Sequence, residues 1–260
     1  MKKIMLMLAM FVSAQFVNAQ VIATNLLNGY KTGDKLEKNV YSESNRTFTA
    51  KTWNCAFYKD KPNPHPSPVI SEPLNYKGYP EKGPSVQFGG FSTKEKATRV
   101  SVCSITEKNK KGKGAIYLSF LMNFSKLGLA GLADIIGLHH SYLGNGIPRV
   151  AFLIGKAKDN PKKMRFGISL LKLKKESPKT YDYNKTHLVV VKLDYTAQKA
   201  SLFVDPKAGG EEPEADISLS GSENNTITQG INAIVLRNRS NYVGNVGNFR
   251  LCTTWSGITE

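Results

Sequence analysis

The 260-residue sequence has only three cysteines and four histidines, and no two cysteines form a Cys-x-x-Cys pair. Without that pair, the sequence lacks the usual signature of a redox dithiol and of a zinc knuckle. Cys55, Cys103 and Cys252 each lie in a strand-like run, which favours small buried thiols. One disulfide, in any of three pairings, stays open as an alternative.

Long apolar runs are also missing, since no segment reaches the roughly 18 residues of a membrane-spanning helix. The apolar run at residues 4–12 follows Lys2 and Lys3 and precedes a small-residue cleavage pattern at residues 17–19. That order is typical of a secretory signal peptide. We therefore expect residues 1–19 to be removed, and the mature chain to act outside the cytoplasm as a secreted, periplasmic or cell-surface protein.

Acidic residues are scarce, with 20 against 36 basic residues and a net charge of +16. A surface of this sign attracts anionic partners such as acidic polysaccharide. The alternative is an ordinary solvated surface. Aromatic residues do not interleave with the lysines, so the sequence does not predict specific nucleic-acid binding. The excess is clustered at Lys108, Lys110, Lys111 and Lys113, at Lys156, Lys158, Lys162, Lys163 and Arg165, and at Lys172, Lys174 and Lys175.

Helical periodicity is nearly absent, and short runs rich in Val, Ile, Leu, Phe and Tyr alternate with turn residues, which predicts strands. We expect an all-β, two-sheet antiparallel jelly-roll sandwich over residues 73–260. A polar and Pro-rich lead-in over residues 20–72 could add the first strands. The nine predicted strands are 85–88, 99–105, 115–122, 149–154, 164–171, 187–193, 200–204, 231–236 and 246–253.

One segment departs from the strand pattern. Residues 127–138 carry Leu and Ile at helical spacing, although Gly128, Gly131 and Gly137 weaken a helix. Together with the following residues 139–146, we expect this segment to form an insertion between two strands. Loops between strands often carry the functional residues.

The order of the runs in the C-terminal half resembles the concanavalin A-like lectin/glucanase superfamily, in the laminin-G-like form of secreted bacterial proteins. The resemblance spans roughly residues 73–257 and implies a jelly roll of two antiparallel sheets. It does not specify activity, because such folds serve binders, hydrolases and lyases. The residues that carry it are 73–78, 117–121, 188–195, 200–206, 212–213, 231–237 and the terminal 246–255, which ends in Thr-Thr-Trp.

Catalysis is an alternative with limited support in the sequence. A glycosidase needs two carboxylates beside the scissile bond, and the nearest acids, in residues 211–216, surround Pro213 and are typical of a solvated loop. Lyases of similar fold use a Tyr/His pair with an Arg, and His139, His140, Tyr142 and Arg149 are close in sequence. The strand motifs of those lyases are absent, so the enzyme question stays open with binding favoured.

No cofactor or metal site is predicted. The superfamily resemblance allows calcium at Asp194 or Asp205, but no clustered Asp/Asn loop supports it. Sugar binding requires exposed aromatic faces with planar polar groups. We therefore predict an exported lectin-like domain that binds carbohydrate, with acidic polysaccharide as one option. A polysaccharide hydrolase or lyase and a structural envelope protein are the alternatives. The candidate ligand-binding residues are Tyr76, Tyr79, His139, His140, Tyr142 and Arg149, and Trp255 is assigned to the core.

Overall fold

The structure is a computed structural model that describes residues 21–40, 50–56, 65–91, 98–105, 111–128, 131–141, 146–222 and 226–259. In this part of the chain, two sheets pack face to face and a single helical turn, α1 (Ser256–Thr259), follows the last strand. The predicted two-sheet antiparallel sandwich is therefore confirmed. The predicted signal peptide lies outside the described residues and remains a prediction.

Sixteen strands are present in the described residues, and four short ones precede residue 73. They are β1 (Val21–Ala23), β2 (Asn39–Val40), β3 (Trp53–Cys55), β4 (Ile70–Ser71), β5 (Ser85–Phe88), β6 (Thr98–Ser104), β7 (Ala115–Lys126), β8 (Ala133–His139), β9 (Val150–Lys156), β10 (Lys163–Leu170), β11 (Leu173–Asp182), β12 (His187–Asp194), β13 (Lys199–Val204), β14 (Ile217–Ser220), β15 (Ala233–Arg239) and β16 (Val243–Cys252).

The first sheet has the strand order β14-β13-β12-β7-β16-β5-β4, and β1 pairs with β16. The second sheet has the order β11-β10-β9-β8-β15-β6-β3-β2. All pairings are antiparallel except that of β2 with β3. The consecutive hairpins from β8 to β11 form one half of the second sheet, and the chain then crosses to the first sheet at β12.

The core lies between the sheets because alternate residues of each strand point inward. On β7, Leu118, Phe120, Met122 and Phe124 are buried in this core. Phe120 of the first sheet meets Phe152 of the second edge to face, with ring centroids 5.5 Å apart. Such a pair adds stabilisation beyond the burial of its apolar area.

The outer face of the first sheet has a second, smaller core at one end. Its sheet residues include Leu121, Leu188, Val190 and Phe203, and segments that precede β5 and follow β16 cover them. The covering side chains are Leu74, Tyr79, Trp255 and Ile258. The Pro-rich segment is therefore anchored by apolar contacts, and the assignment of Trp255 to a core is confirmed because it is 6% exposed.

The expectation that residues 127–138, together with 139–146, form an insertion between two strands is wrong. Residues Ala133–His139 form β8, an interior strand between β9 and β15. A register shift between Asp134 and Ile136 places Ile135 in the core together with Ile136 and Leu138. The strand therefore lacks the simple apolar/polar alternation by which strands are recognised in a sequence. Of the glycines that weaken a helix, Gly137 serves close packing here, because a Cβ on it would lie 3.1 Å from Pro148 Cβ.

Two edge strands, β11 and β14, were not predicted from the sequence. β11 (Leu173–Asp182) is largely exposed and carries three charged side chains, at residues 174–176, before its Pro178. Proline is tolerated in a sheet at an edge strand, where its missing N–H faces no partner. An edge strand needs little apolar sequence, so the strand pattern was too weak to be recognised.

Candidate functional site

A row of polar side chains crosses four neighbouring strands on the outer face of the first sheet. The register aligns Tyr117 of β7 with Lys192 of β12, Lys192 with Ser201 of β13, and Ser201 with Ser218 of β14. Directly paired residues point to the same side of a sheet. We call these four residues the polar row. Each alternates along its strand with residues that face the core, so all four side chains point away from the core.

An open groove of about 770 Å³ lies over the edge of this sheet and contains most of the polar row. Its floor includes Lys192, Ser201 and Phe203, and the loop at residues 211–216 forms one wall. Lys175 of β11, from the second sheet, forms the opposite side and donates to the Ser218 carbonyl at 3.0 Å. The groove therefore lies where the edges of the two sheets meet, and its volume suits a small ligand or a few sugar units.

Glu212 is held in place by two side chains of the polar row. Lys192 Nζ lies 2.9 and 3.1 Å from its carboxylate oxygens, and Tyr117 donates its hydroxyl to Oε2 at 2.6 Å. Burial, and secondly the hydrogen bond to Glu212, raise the pKa of Tyr117 to about 12. Burial disfavours the charge on Lys192, but Glu212 and Tyr117 outweigh it and raise the pKa of Lys192. The ammonium and the phenol are thus both protonated at neutral pH.

The groove has no positive excess of its own. Lys175, Lys192 and Lys199 line it, but so do five carboxylates, at Glu176, Asp194, Glu212, Glu214 and Asp216. Asp216 accepts from the Val204 amide at 2.7 Å and pairs with Lys179, so it also fixes the loop. The mixture of donors and acceptors matches a polyhydroxylated ligand better than a polyanion.

The positive excess lies beside the groove, over the hairpins β9–β10 and β10–β11. Residues 156–185 contain ten basic and three acidic residues. Arg165 is an exception within this set, because it is buried and pairs with Glu176. The remaining basic side chains, which we call the lysine surface, are Lys156, Lys158, Lys162, Lys163, Lys172, Lys174, Lys175, Lys179 and Lys185.

Tyr76 and Tyr79 lie on the same outer face as the groove but are not part of it. The expectation that Tyr79 is an exposed sugar-binding ring is wrong: it is 6% exposed, and its hydroxyl lies 2.8 Å from both Ser119 Oγ and the Asn248 carbonyl. Burial raises the pKa of Tyr79. Tyr76 is half-buried, with its hydroxyl 3.5 Å from the Pro206 carbonyl. Both rings anchor the Pro-rich segment.

His139, His140 and Arg149 lie together at one end of the second sheet. His139 is fully buried at the end of β8, which leaves it no exposed face for a ligand. His140 is only half-exposed, and burial, followed by the charge of Arg149, lowers its pKa. Arg149 donates to Gln229. Tyr142 lies outside the described residues, so the predicted set of six does not converge on one site in the described structure.

The two aspartates considered for calcium make local contacts instead. Asp194 accepts from the Thr196 and Ala197 amides at 3.0 and 2.9 Å, which is a turn-capping arrangement. Asp205 accepts from His187 and from the Leu188 amide. Across the described ranges, no cluster of three or more His, Cys, Asp or Glu side chains has metal-binding spacing. In the same ranges, no helix has the length and hydropathy needed to cross a bilayer.

Sequence reasoning missed the polar row because Tyr117 lies 75 positions before Lys192, and Ser218 lies 26 positions after it. Tyr117, Lys192 and Ser218 become neighbours only through strand order, which local patterns do not give. One signal was present: Lys192 and Asp194 alternate with Val191 and Leu193, which indicates one polar face at the end of β12. Residues 211–216 form an irregular loop as predicted, but Glu212 and Asp216 are bonded to the sheet rather than freely solvated.

Comparison with known proteins places the fold. The catalytic domain of the glycoside hydrolase family 131 protein from Coprinopsis cinerea superposes with a TM-score of 0.51 at 10% identity, covering 89% of this chain and 94% of that one. The chain has a concanavalin A-like fold. The globular domain of T. cruzi calreticulin (TM-score 0.46, 10% identity, 80% and 86% covered) and a lectin from Bauhinia forficata in complex with GalNAc (0.39, 10%, 65% and 86%) are also similar. No protein-family model and no curated protein sequence matches this chain.

Proposed function

We propose that this chain is an exported carbohydrate-binding domain whose groove holds a glycan along the polar row. The observation that supports this most is the open groove, in which ammonium, hydroxyl and carboxylate groups are interspersed on one rigid sheet. Sugar hydroxyls both donate and accept hydrogen bonds, so a lining of alternating donors and acceptors is suited to them. A site built on strands is also held more firmly than one built on loops alone.

The hydrogen bonds made by the carboxylates in the groove favour binding over hydrolysis. A glycosidase needs one carboxyl group as acid and a second as base or nucleophile, on either side of the bond. Glu212 instead accepts hydrogen bonds from Lys192 and Tyr117, and Asp216 accepts from Val204 and Lys179. Carboxylates that are held in this way position the loop.

Export and a preference for acidic glycans complete the proposal. The N-terminal pattern predicts cleavage before Gln20, and the net charge of +16 attracts negatively charged polymers. Export and cleavage are tested by measuring the molecular mass of the protein recovered from outside the cytoplasm. A mass that includes residues 1–19 would contradict it.

The groove is tested by measuring glycan binding of the secreted protein and two variants. Lys199→Met removes one ammonium, and the double variant Ser201→Ala/Ser218→Ala removes two hydroxyls that bond each other at 2.9 Å. Because both partners leave together, no buried group is orphaned and stability should change little. We expect roughly tenfold weaker binding in each. Lys77→Met, on an exposed lysine elsewhere, is the control.

Two results would overturn the groove assignment. One is that the parent protein binds no glycan on an array of neutral and acidic chains. The other is that the variants at Lys199, Ser201 and Ser218 bind as tightly as Lys77→Met. Release of reducing sugar by the parent protein, lost in Glu212→Gln, would replace binding with catalysis.

A further inference from the structure

Arg149 is the one arginine in the described part of the chain that has no carboxylate partner. Its side chain is half-buried just before β9, so its positive charge is partly removed from water. A guanidinium in such a position ordinarily has a counter-charge, because desolvation of a charge costs free energy. The other described arginines follow this rule: Arg99 pairs with Glu37, Arg165 with Glu176, Arg237 and Arg239 with Asp134, and Arg250 with Glu81.

The guanidinium of Arg149 uses little of its hydrogen-bonding capacity. Nη2 donates to Gln229 Oε1, and Nε is enclosed without an acceptor among the described residues. A guanidinium has five N–H groups, so three remain on the two terminal nitrogens. Burial lowers the pKa of Arg149, but arginine stays protonated at neutral pH and the charge is kept. Parallel N–H groups on the two terminal nitrogens match the two oxygens of a carboxylate.

Three loops meet at this guanidinium, at one end of the second sheet. Lys111 precedes β7, His140 and Arg149 flank the loop between β8 and β9, and Gln229 precedes β15. Lys111 forms an antiparallel bridge with Gln229, and directly paired residues point to the same side. Because the Gln229 side chain reaches Arg149, the exposed Lys111 ammonium lies on the side of Arg149. Tyr195 fixes Gln229 by donating to its main-chain carbonyl at 3.3 Å.

His140 adds an uncharged hydrogen-bonding group beside Arg149. Its Nδ1 is enclosed and has no partner within the described ranges, so Nε2 is the ring nitrogen that a ligand can reach. The Asn232 side-chain amide donates to the His140 carbonyl and holds the backbone in place. Burial, followed by the charge of Arg149, lowers the pKa of His140, so the ring is neutral at pH 7. The local positive charge therefore comes from Arg149 and Lys111.

We propose that Arg149 binds the carboxylate of an acidic sugar residue, with Lys111, His140 and Gln229 completing the site. The guanidinium holds both carboxylate oxygens, the ammonium adds attraction, and the amide and imidazole bond the adjacent sugar hydroxyls. None of these four residues lines the groove, so this is a separate site, which we call the Arg149 site. The inference rests on the proposed carbohydrate binding for the sugar part of the ligand.

The Arg149 site supplies what the groove lacks for an acidic glycan. The groove is lined by more carboxylates than lysines, so it gives no preference for a negatively charged sugar. The Arg149 site has two positive side chains, and neither forms an ion pair within the described residues. A preference for acidic over neutral glycans would therefore depend on Arg149.

The experiment compares galacturonate with galactose, which differs from it in having no carboxylate, and includes inorganic phosphate and a neutral glucan. Arg149→Met removes the guanidinium and keeps an apolar stem of similar shape. Arg149→Lys keeps the charge without the fork. The matched control is Arg237→Met, because Arg237 is also half-buried but its Nε pairs with Asp134 at 2.9 Å. Lys111→Gln, at an exposed position, tests the site with little risk to folding.

We expect Arg149→Met to bind galacturonate roughly tenfold or more weakly, because a charge-assisted pair of hydrogen bonds is lost. Arg149→Lys and Lys111→Gln should each weaken binding about three- to tenfold, while Arg237→Met stays within about twofold of the parent. Urea unfolding without ligand gives a second readout. The midpoint should change little in Arg149→Met, which loses no ion pair, and should fall in Arg237→Met.

Several outcomes would overturn the proposal. Galactose that binds as tightly as galacturonate would show that no carboxylate is recognised, and tighter binding of phosphate would assign the site to another anion. Equal losses in Arg149→Met and Arg237→Met would show that only net charge matters. Unchanged binding in both Arg149→Met and Lys111→Gln would remove the site.

Failure of the groove can be distinguished from failure of the Arg149 site. Lys199→Met should weaken binding of the neutral glucan and leave galacturonate binding unchanged, since Lys199 lines only the groove. If no neutral glucan binds but galacturonate binds in an Arg149-dependent way, the groove assignment is wrong and the Arg149 site stands. If neutral glucan binds and galacturonate has no advantage, the Arg149 site is wrong and the groove stands.

Discussion

His187 Nδ1 lies 2.8 Å from Asp205 Oδ2, and its other ring nitrogen, Nε2, lies 3.1 Å from the Asp182 carbonyl. The Asp205 carboxylate and the Asp182 carbonyl thus hold the imidazole ring from both sides. Asp205 also accepts from the Leu188 amide at 3.1 Å. These contacts tie the start of β12 to the beginning of the loop that carries Glu212, so Asp205 supports the loop that forms one wall of the groove.

Removing the Asp205 charge should destabilise the protein in a pH-dependent way. Burial would raise the pKa of Asp205, but the hydrogen bond and charge of His187 outweigh it and lower that pKa. A lowered pKa contributes stability above the unfolded value, near pH 4, and this contribution is lost as the pH falls through the folded value. We expect Asp205→Asn to reduce the free energy of unfolding by about 2 kcal/mol at neutral pH.

Urea unfolding at about pH 7 and about pH 3 measures this difference, since the carboxylate is protonated in the unfolded chain at the lower value. The difference in free energy of unfolding between the parent and Asp205→Asn should be smaller at the lower pH. Asp159→Asn, at an exposed turn position with no ion pair among the described residues, should show little change at either pH. A gap of equal size at both pH values would contradict the ion-pair explanation.

Glu37 and Arg99 form an ion pair at the edge of the core, with side chains 2% and 6% exposed. Arg99 Nε lies 3.0 and 3.1 Å from the two carboxylate oxygens, and Ser101 Oγ donates to the same carboxylate at 2.7 Å. Glu37→Gln leaves the buried guanidinium without its counter-charge. We therefore expect a loss of about 3–5 kcal/mol in the free energy of unfolding.

The double variant Glu37→Leu/Arg99→Met is the control for this pair. It removes both charges together, and apolar replacements of similar volume are often close to neutral. It should be more stable than Glu37→Gln in the same denaturant titration. If the double variant is the less stable of the two, the pair contributes through packing or specific hydrogen bonding rather than through charge compensation.

The sequence predicted the sandwich because strand alternation is a local signal. Phe249 and Leu251 alternate with Arg250 and Cys252, and that pattern alone places two side chains in the core. Long-range features were not predictable in this way. Residues 127–138 were misjudged because a register shift in β8 puts both Ile135 and Ile136 in the core, which breaks the apolar/polar alternation of a strand.

The candidate site was harder to predict from the sequence than the fold. Exposed aromatic rings were expected to mark it, yet Tyr79 is buried by its contacts with Ser119 and Asn248. The polar row depends on which strands become neighbours, and β14 was not recognised as a strand. Only the lysine clusters, a property of composition, were visible in the sequence before any topology was known.

Gly89 and Gly90 offer a matched test of close backbone packing. Both have positive φ, +83° and +80°, but a Cβ on Gly89 would lie 1.8 Å from the Tyr242 carbonyl oxygen, while one on Gly90 would meet nothing within 4 Å. Gly90→Ala should cost about 1 kcal/mol, from its backbone conformation alone. Gly89→Ala should cost about 2 kcal/mol more, because the neighbouring backbone must shift.

Thermal or urea unfolding of the two alanine variants provides the comparison. Because φ is positive at both glycines, both variants pay a similar conformational penalty. The difference between their free energies of unfolding therefore measures the cost of the close contact with Tyr242. Variants of equal stability would mean that the turn after β5 rearranges without cost.

The three cysteines should be reduced thiols and should react slowly in the folded protein. Cys55, Cys103 and Cys252 are all buried as thiols, in agreement with the preference drawn from the sequence. Burial raises the pKa of Cys103 to about 12, so its reactive thiolate is scarce at neutral pH. A thiol reagent should label the protein slowly under native conditions and at all three positions after unfolding. A mass two units low, the mark of a disulfide, would contradict this.

Tyr117→Phe tests whether the polar row positions Glu212. The substitution removes the hydroxyl that donates to Glu212 Oε2 at 2.6 Å, while the ring can keep its edge contact with Trp255. Lys192 still pairs with the carboxylate, so we expect a modest stability loss of about 1–2 kcal/mol. Glycan affinity should fall several-fold, because the loop wall is then held by one side chain instead of two.

Tyr183→Phe is the matched control, since Tyr183 is a half-buried tyrosine whose hydroxyl makes no hydrogen bond within the described residues. Unfolding at high pH gives a second readout. The pKa of Tyr117 is raised to about 12 from an ordinary value near 10, so the stability it contributes is complete below pH 10 and is lost as the pH rises toward 12. The gap between parent and Tyr117→Phe should therefore narrow across that interval. If glycan binding weakens but the stability difference between parent and Tyr117→Phe does not change with pH, the hydroxyl contacts the glycan directly. If glycan binding is unchanged, Glu212 is not part of the binding site.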